Sequence, residues 1–177
     1  MNDFKISELE RRVANLVLVG TIAELDGSMA RVEIGGLRTA ALPWLSPRVG
    51  ETCRVWKAPA VGEQVLVVCR NGDPAQGIIV ASLGSALNPH PSGNPRIFKT
   101  VFGDGSFLQV DLDTRKMTVR SAGDVDVVAN GKAAVTAPTI DLEGNVSISG
   151  TLSVAGATAL GVASVQGTPL SPGGNQF

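Results

Sequence analysis

The chain has 177 residues, a formal net charge of −1 and a pI near 5.8. That length allows one medium domain or two small ones, and so balanced a charge gives no global attraction to nucleic acid or to an anionic membrane surface. Aromatic residues make up 4% with no tyrosine, against 21 glycines, which suits small barrels and slender β-stacks better than the thick core of an α/β enzyme.

At the N-terminus, MNDFKISELERR has no apolar run behind a basic stretch, so a signal peptide is not expected. Nowhere are there 18 consecutive apolar residues of the kind that form a transmembrane helix. Ser7-Glu8-Leu9-Glu10 has the form of a capping box and predicts a short helix from there to about Asn15. Ile6, Leu9, Val13 and Leu16 are spaced three, four and three, a heptad-like seam. Two turns are too few to make a coiled coil alone. The seam lies either on its own domain or against a partner or sister subunit.

From Val17 to Leu83 the pattern is that of strands. VLVGTIAEL, a turn at Asp26-Gly27 and MARVEIGGL read as a hairpin. A proline-bearing connection (Leu42 to Glu51) leads to ETCRVW, a turn at Ala58-Pro59-Ala60, the strand GEQVLVVCR, a turn at Asn71-Gly72-Asp73-Pro74 and the strand GIIVASL. Five strands in this span predict a small OB-like barrel over 17–84. Cys53 and Cys69 both fall in these apolar runs and are expected as buried free thiols.

Residues 85–98 hold several prolines and little apolar content, which reads as an extended linker between domains. Beyond it, TVFGDGSFLQVDLDTRKMTVRS reads as a second hairpin, with Asp104-Gly105 as one turn and Asp113-Thr114-Arg115 as the next. The chain then reaches TIDLEG-NVSISG-TLSVAG, in which Gly144, Gly150 and Gly156 recur every six residues. Ile140, Val146 and Leu152 keep that spacing, as do Leu142, Ile148 and Val154. Apolar residues alternate with polar or small ones, the two-residue period of a strand with one buried face. The glycines stand at corners, where the chain turns or approaches another backbone. Repeats of this kind predict a β-helix or prism. After Gly156 the spacing slips, with Gly161 and Gly167 one residue out of phase.

One hexad fixes more backbone than two small apolar side chains can offset, and a lone stack leaves open edges. Residues 99–177 are therefore expected as a homotrimer in which three chains share one core, built on Val125, Val127, Val135, Ile140, Leu142, Val146, Ile148, Leu152 and Val154. No charged residue follows Glu143.

Catalytic chemistry is sparse. His90, the only histidine, lies between two prolines, where a solvated residue is expected rather than a member of a triad. Two cysteines and one histidine in separate segments give no zinc spacing. Asp111-x-Asp113 and Asp124-x-Asp126 lack the glycine and glutamate of a calcium loop. Gly103-Asp104-Gly105 has no strand-to-helix context for phosphate. A left-handed β-helix acyltransferase winds about eighteen residues per coil, so the clean repeat covers roughly one coil, which cannot stack on itself, and the catalytic histidine it would need could only be His90, upstream of the repeat.

The order of an OB-like barrel, a proline-rich linker and a glycine-punctuated β-stack resembles the baseplate central spike of contractile phage tails. That family includes baseplate assembly protein V, the spikes of R-type pyocins and type VI secretion tips. The stretches that carry the likeness are VGTIAELDGSMARVEIGG, LPWL, VWKAPAVGEQVLVVCRNGDPAQGIIVASL and FGDGSFLQVDLDTRKMTV. The resemblance implies a non-enzymatic homotrimer, made in the bacterial cytoplasm and built into the tip of a phage or pyocin particle. Its helix (Leu9, Val13, Leu16) and barrel would face the hub and tail tube. Its β-helix would meet the target outer membrane transiently and pierce it. The short chain and lack of a fused enzymatic domain fit a pyocin-like or simple myophage spike. Some relatives bind iron at the apex through a His-x-His pair; no histidine follows His90, so that site is not carried over and no cofactor is expected. Val162, Val165, Pro169 and Leu170 are candidates to close the apex instead. The competing reading is an OB binding module for nucleic acid or glycan, trimerised by the β-stack. The barrel segment offers Trp44 and Trp56 but no Tyr or Phe for base stacking, so no nucleic-acid partner is expected.

Overall fold

The computed structural model describes residues 2–155. The chain divides into two units, one ending at Val125 and one beginning at Asp126.

The first unit opens with helix α1 (Asn2–Ala14). It begins well before Ser7, so the capping box does not form. No glycine or proline in residues 3–6 stops the helix from extending upstream, and Ser7 becomes an interior residue. Glu8 instead accepts hydrogen bonds from Arg11 Nε at 2.9 Å and Arg12 Nε at 2.7 Å. The two arginines lie in the last turn, where the helix dipole favours cations.

Six strands follow: β1 (Val17–Asp26), β2 (Met29–Ile34), β3 (Leu37–Arg38), β4 (Leu42–Pro43), β5 (Gln64–Cys69) and β6 (Gly77–Leu83). Their order is β3-β2-β1-β5-β6, with β4 also paired to β2. Asp26 pairs with Met29 across the predicted turn. Gly27 has φ +60° and Ser28 is not left-handed, as in a type II′ hairpin. The sheet closes on itself after β4: Trp44 bridges Ile79 of β6 in parallel, and Leu45 N donates to Ile79 O at 2.7 Å. An irregularity between Ile22 and Glu24 in β1, and another between Leu66 and Val67 where β5 meets β6, give the local bends that closure needs.

Alternation sets the core. Ala30 and Val32 from β2, Leu42 from β4, Val65, Val67 and Cys69 from β5, and Ile79 from β6 point inward with Ile22. Gly20 lets β1 and β2 approach, since a Cβ there would come within 2.7 Å of the Glu33 carbonyl.

ETCRVW is not a strand. It makes one isolated bridge, Val49 to Arg54, and loop contacts such as Ser46 Oγ to the Val55 carbonyl at 2.6 Å. At β6 the outward position beside Ile79 is already taken by Trp44, so strand propensity finds no edge there to join. Cys53 lies exposed on this loop, contrary to the expectation of a buried thiol, whereas Cys69 is buried as expected.

Residues 85–90, expected as part of an extended linker, turn back on the barrel. Asn88 Nδ2 donates to the Gly62 carbonyl at 3.2 Å, Ser85 and Asn88 close a turn, and the His90 imidazole rests against Gly84. A three-stranded antiparallel meander then forms from β7 (Ile97–Val101), β8 (Phe107–Asp111) and β9 (Lys116–Arg120). Asp104 caps its first turn through Ser106, and Asp111 caps the second through the amides of Asp113 and Thr114. These hydrogen bonds hold both carboxyls below the usual aspartate range.

In the second unit, residues 126–155 contain no helix and no paired strand within the single chain, and their side chains are exposed. Gly144 has φ +123°, a conformation closed to other residues at low cost.

Candidate interaction surfaces

The described residues offer little to a reaction. Among them, no group of three His, Cys, Asp or Glu is placed to hold a metal ion. The Ser82 hydroxyl donates to the Glu63 carboxylate, so it is not held by the imidazole of His90, which lines the same cleft. A second cleft of about 190 Å³ is lined by Trp44, Pro47, Lys57 and Ile79, smaller than the range usual for small-molecule sites. Above it Trp44 and Trp56 meet edge to face with centroids 5.4 Å apart.

Apolar surface is abundant instead. On α1, Leu9 and Val13 are exposed along with Phe4 and Ile6, and Leu16 is 41% exposed. The helix is anchored to the barrel from its C-terminal end. Cys69 N donates to the Leu16 carbonyl at 2.8 Å, and Gly72 sits against the Arg12 backbone, where a Cβ would come 2.6 Å from Arg12 Cα. The left-handed Asn71 (φ +56°) and Gly72 (φ +69°) give the loop this shape. The seam therefore stays in solvent while the helix end is fixed.

The expected trimer-core positions are likewise uncovered in the single chain. Val125, Val127, Val135, Ile140, Leu142, Val146, Ile148, Leu152 and Val154 range from 51% exposed at Ile140 to 81% at Val127. Nothing lies within 4 Å of a Cβ built on Gly144 or Gly150. Gly156 and the apex candidates Val162, Val165, Pro169 and Leu170 lie outside the described residues. The described core candidates, Val125 to Val154, stand in solvent in the single chain.

The barrel carries a likeness to known proteins. Residues 18–83 match the type VI secretion system/phage-baseplate injector OB domain, and the chain is 34% identical over 137 residues to the spike protein of Escherichia phage P2. Both likenesses support a place among baseplate spike proteins. The aligned region covers 76% of this chain and 64% of the P2 protein.

The informative surfaces are the exposed apolar stripe of α1 and the anchor that holds its end to the barrel. Two features of them escape sequence reasoning. Close approach of Gly72 to Arg12 joins residues sixty positions apart, and no local pattern announces it, although Asn71-Gly72 marks a tight turn. Phe4 extends the exposed stripe of α1 upstream of the expected helix start; its spacing of five from Leu9 falls outside the seam's three-and-four rhythm.

Proposed function

We propose that the chain is the central spike of a contractile injection particle, a homotrimer that caps the hub and tail tube and mechanically pierces the outer membrane of a target bacterium. The observation that carries this reading is the exposed, alternating apolar series between Ile140 and Val154, set in a stretch with no charged residue after Glu143. Three copies wound together would bury that series in a shared core and pair edges that one chain leaves open. An uncharged needle avoids the cost of carrying ions through lipid. The likeness to a spike protein supports the same reading. The exposed seam of α1 would then face the hub, with Leu9, Val13 and Leu16 as its contact residues.

Sedimentation equilibrium of the purified full chain tests the proposal. The expected mass is three times the 18.2 kDa of one chain, with a threefold needle in electron micrographs. A monomeric mass across the accessible concentration range overturns it.

A further inference from the structure

Between the barrel and the meander, residues 84–96 are fastened at both ends. At the barrel end, Asn88 Nδ2 donates to the Gly62 carbonyl at 3.2 Å. The turn that receives it is itself held. Gly62 is left-handed at φ +87°, and its amide donates to the carbonyl of the core residue Ile22 at 2.8 Å. The Glu63 carboxylate accepts from the Ala60 amide and the Ser82 hydroxyl. Ser85 N donates to the Asn88 carbonyl at 3.0 Å and Asn88 N to Ser85 Oγ at 3.1 Å, closing a turn from both sides. The His90 imidazole fills the space that a side chain at position 84 would occupy. At the meander end, Asn94 Oδ1 accepts from Arg96 N at 2.9 Å, and the Arg96 guanidinium pairs with the Asp113 carboxylate. The Arg96 carbonyl accepts from Leu112 N at 3.1 Å. Only Pro91, Ser92 and Gly93 lie between the two sets of anchors.

We infer that this segment is a clasp that makes the meander follow the barrel, rather than a free tether between them. The prolines carry the argument further. Asn88, His90 and Asn94, whose side chains make the anchoring contacts, each stand immediately before a proline, Pro89, Pro91 and Pro95. A proline fixes its own φ and narrows the backbone of the residue before it. The three anchoring residues are therefore preset in the unfolded chain, and less entropy is lost when the clasp closes. Each anchor is a single exposed contact and weak alone, so the two ends hold only together. Releasing the barrel end frees the chain as far as the meander end. Thrust applied to the barrel then reaches the meander without a slack stretch that bends first; that role rests on the piercing reading, whereas the clasp does not.

Trypsin cleavage after Arg96 in the full-length protein tests it, because a protease cuts a native chain in proportion to how often the site opens. A synthetic peptide of residues 84–103 gives the rate for unstructured chain. The clasp predicts cleavage about thirtyfold or more slower in the protein than in the peptide. Two variants release the barrel end, well upstream of the cut. Gly84→Ala puts a Cβ 2.6 Å from His90 Nε2, and the nearest atoms all belong to that imidazole, so the ring must leave. Gly84 is not left-handed, so alanine suits its backbone. Asn88→Asp removes only the donor to the Gly62 carbonyl. Each speeds cleavage after Arg96 at least about threefold, whereas Leu87→Ser, at a side chain 88% exposed in the same turn, leaves it within about twofold. Cleavage of the wild type at the peptide's rate, or a rate that Gly84→Ala and Asn88→Asp leave unchanged, overturns the clasp. A urea midpoint kept by tryptophan fluorescence shows that the barrel of each variant is intact; if either fails to fold, the comparison of wild type with peptide decides. Failure of the clasp leaves the piercing reading standing, and a monomeric mass in sedimentation overturns that reading while leaving the clasp.

Discussion

Replacing Gly72 with alanine should loosen α1 from the barrel without melting the barrel. The substitution acts twice. A left-handed φ of +69° costs an alanine about 1–2 kcal/mol, and the added Cβ would sit 2.6 Å from Arg12 Cα and 2.8 Å from its carbonyl carbon. Those are backbone atoms, so no rotamer change relieves them, and the helix end or the loop must move. Gly27→Ala isolates the first cost, because Gly27 has φ +60° and nothing within 4 Å of a built Cβ. The difference between the two variants is then the steric part, about 1–3 kcal/mol by analogy with overpacked cores. Urea unfolding followed by tryptophan fluorescence gives both stabilities. Hydrogen exchange read by mass spectrometry should show faster exchange over residues 2–14 in Gly72→Ala, with protection at Val65 and Val67 retained if the barrel is still folded. Equal midpoints for the two variants, with helix amides unchanged, would refute the argument.

In the barrel core, Ile22→Ala removes a side chain 1% exposed and should cost about 2–5 kcal/mol in the same urea assay; a loss under about 1 kcal/mol would mean the core is not closed around it. A thiol reagent should label Cys53 at once and Cys69 only on unfolding, since burial first, then Asp73, pushes the Cys69 thiol up. Two fast thiols would contradict the placement. Hydrogen bonds from Arg11 and then Arg12 hold Glu8 down to about 2 from an ordinary value of 4.5. Its contribution to helix stability is therefore present above pH 4.5 and lost as pH falls through about 2. A carboxyl NMR titration at low salt should show that depressed midpoint, and added salt should raise it, because the pair is exposed; an unshifted midpoint at low salt would dissolve the pair. Single-stranded DNA should produce no salt-sensitive shift of the protein, and a clear one would revive the binding-module reading.

The hairpin from β1 to β2, strands β5 and β6, and the meander were legible in the sequence because alternation and turn chemistry agree there. Asp26-Gly27, Asp104-Gly105 and the Asp113-Thr114-Arg115 turn fix where each strand stops. Where those signals part, local reading fails. ETCRVW has strand propensity but no sheet edge to join, and barrel closure rests on Trp44 meeting Ile79, a single non-local bridge that no period encodes. The start of α1 was misplaced because Ser7-x-x-Glu10 fits a cap, yet nothing upstream breaks the helix. The apolar faces of the candidate surfaces were legible as a pattern, since period and charge alone sort them. What covers each face depends on geometry between chains, which residue spacing within one chain does not contain.

Every side chain in the barrel core comes from residues 22 to 79 of one polypeptide. The barrel is thus complete before the ribosome has made the glycine hexads, and each nascent chain can carry a finished barrel while its tail is still being translated. Under the trimeric reading proposed above, maturation then divides into a fast step set by the single molecule and a slow one set by how often chains with finished barrels encounter one another. Yield of the assembled trimer should in that case climb more steeply than expression level.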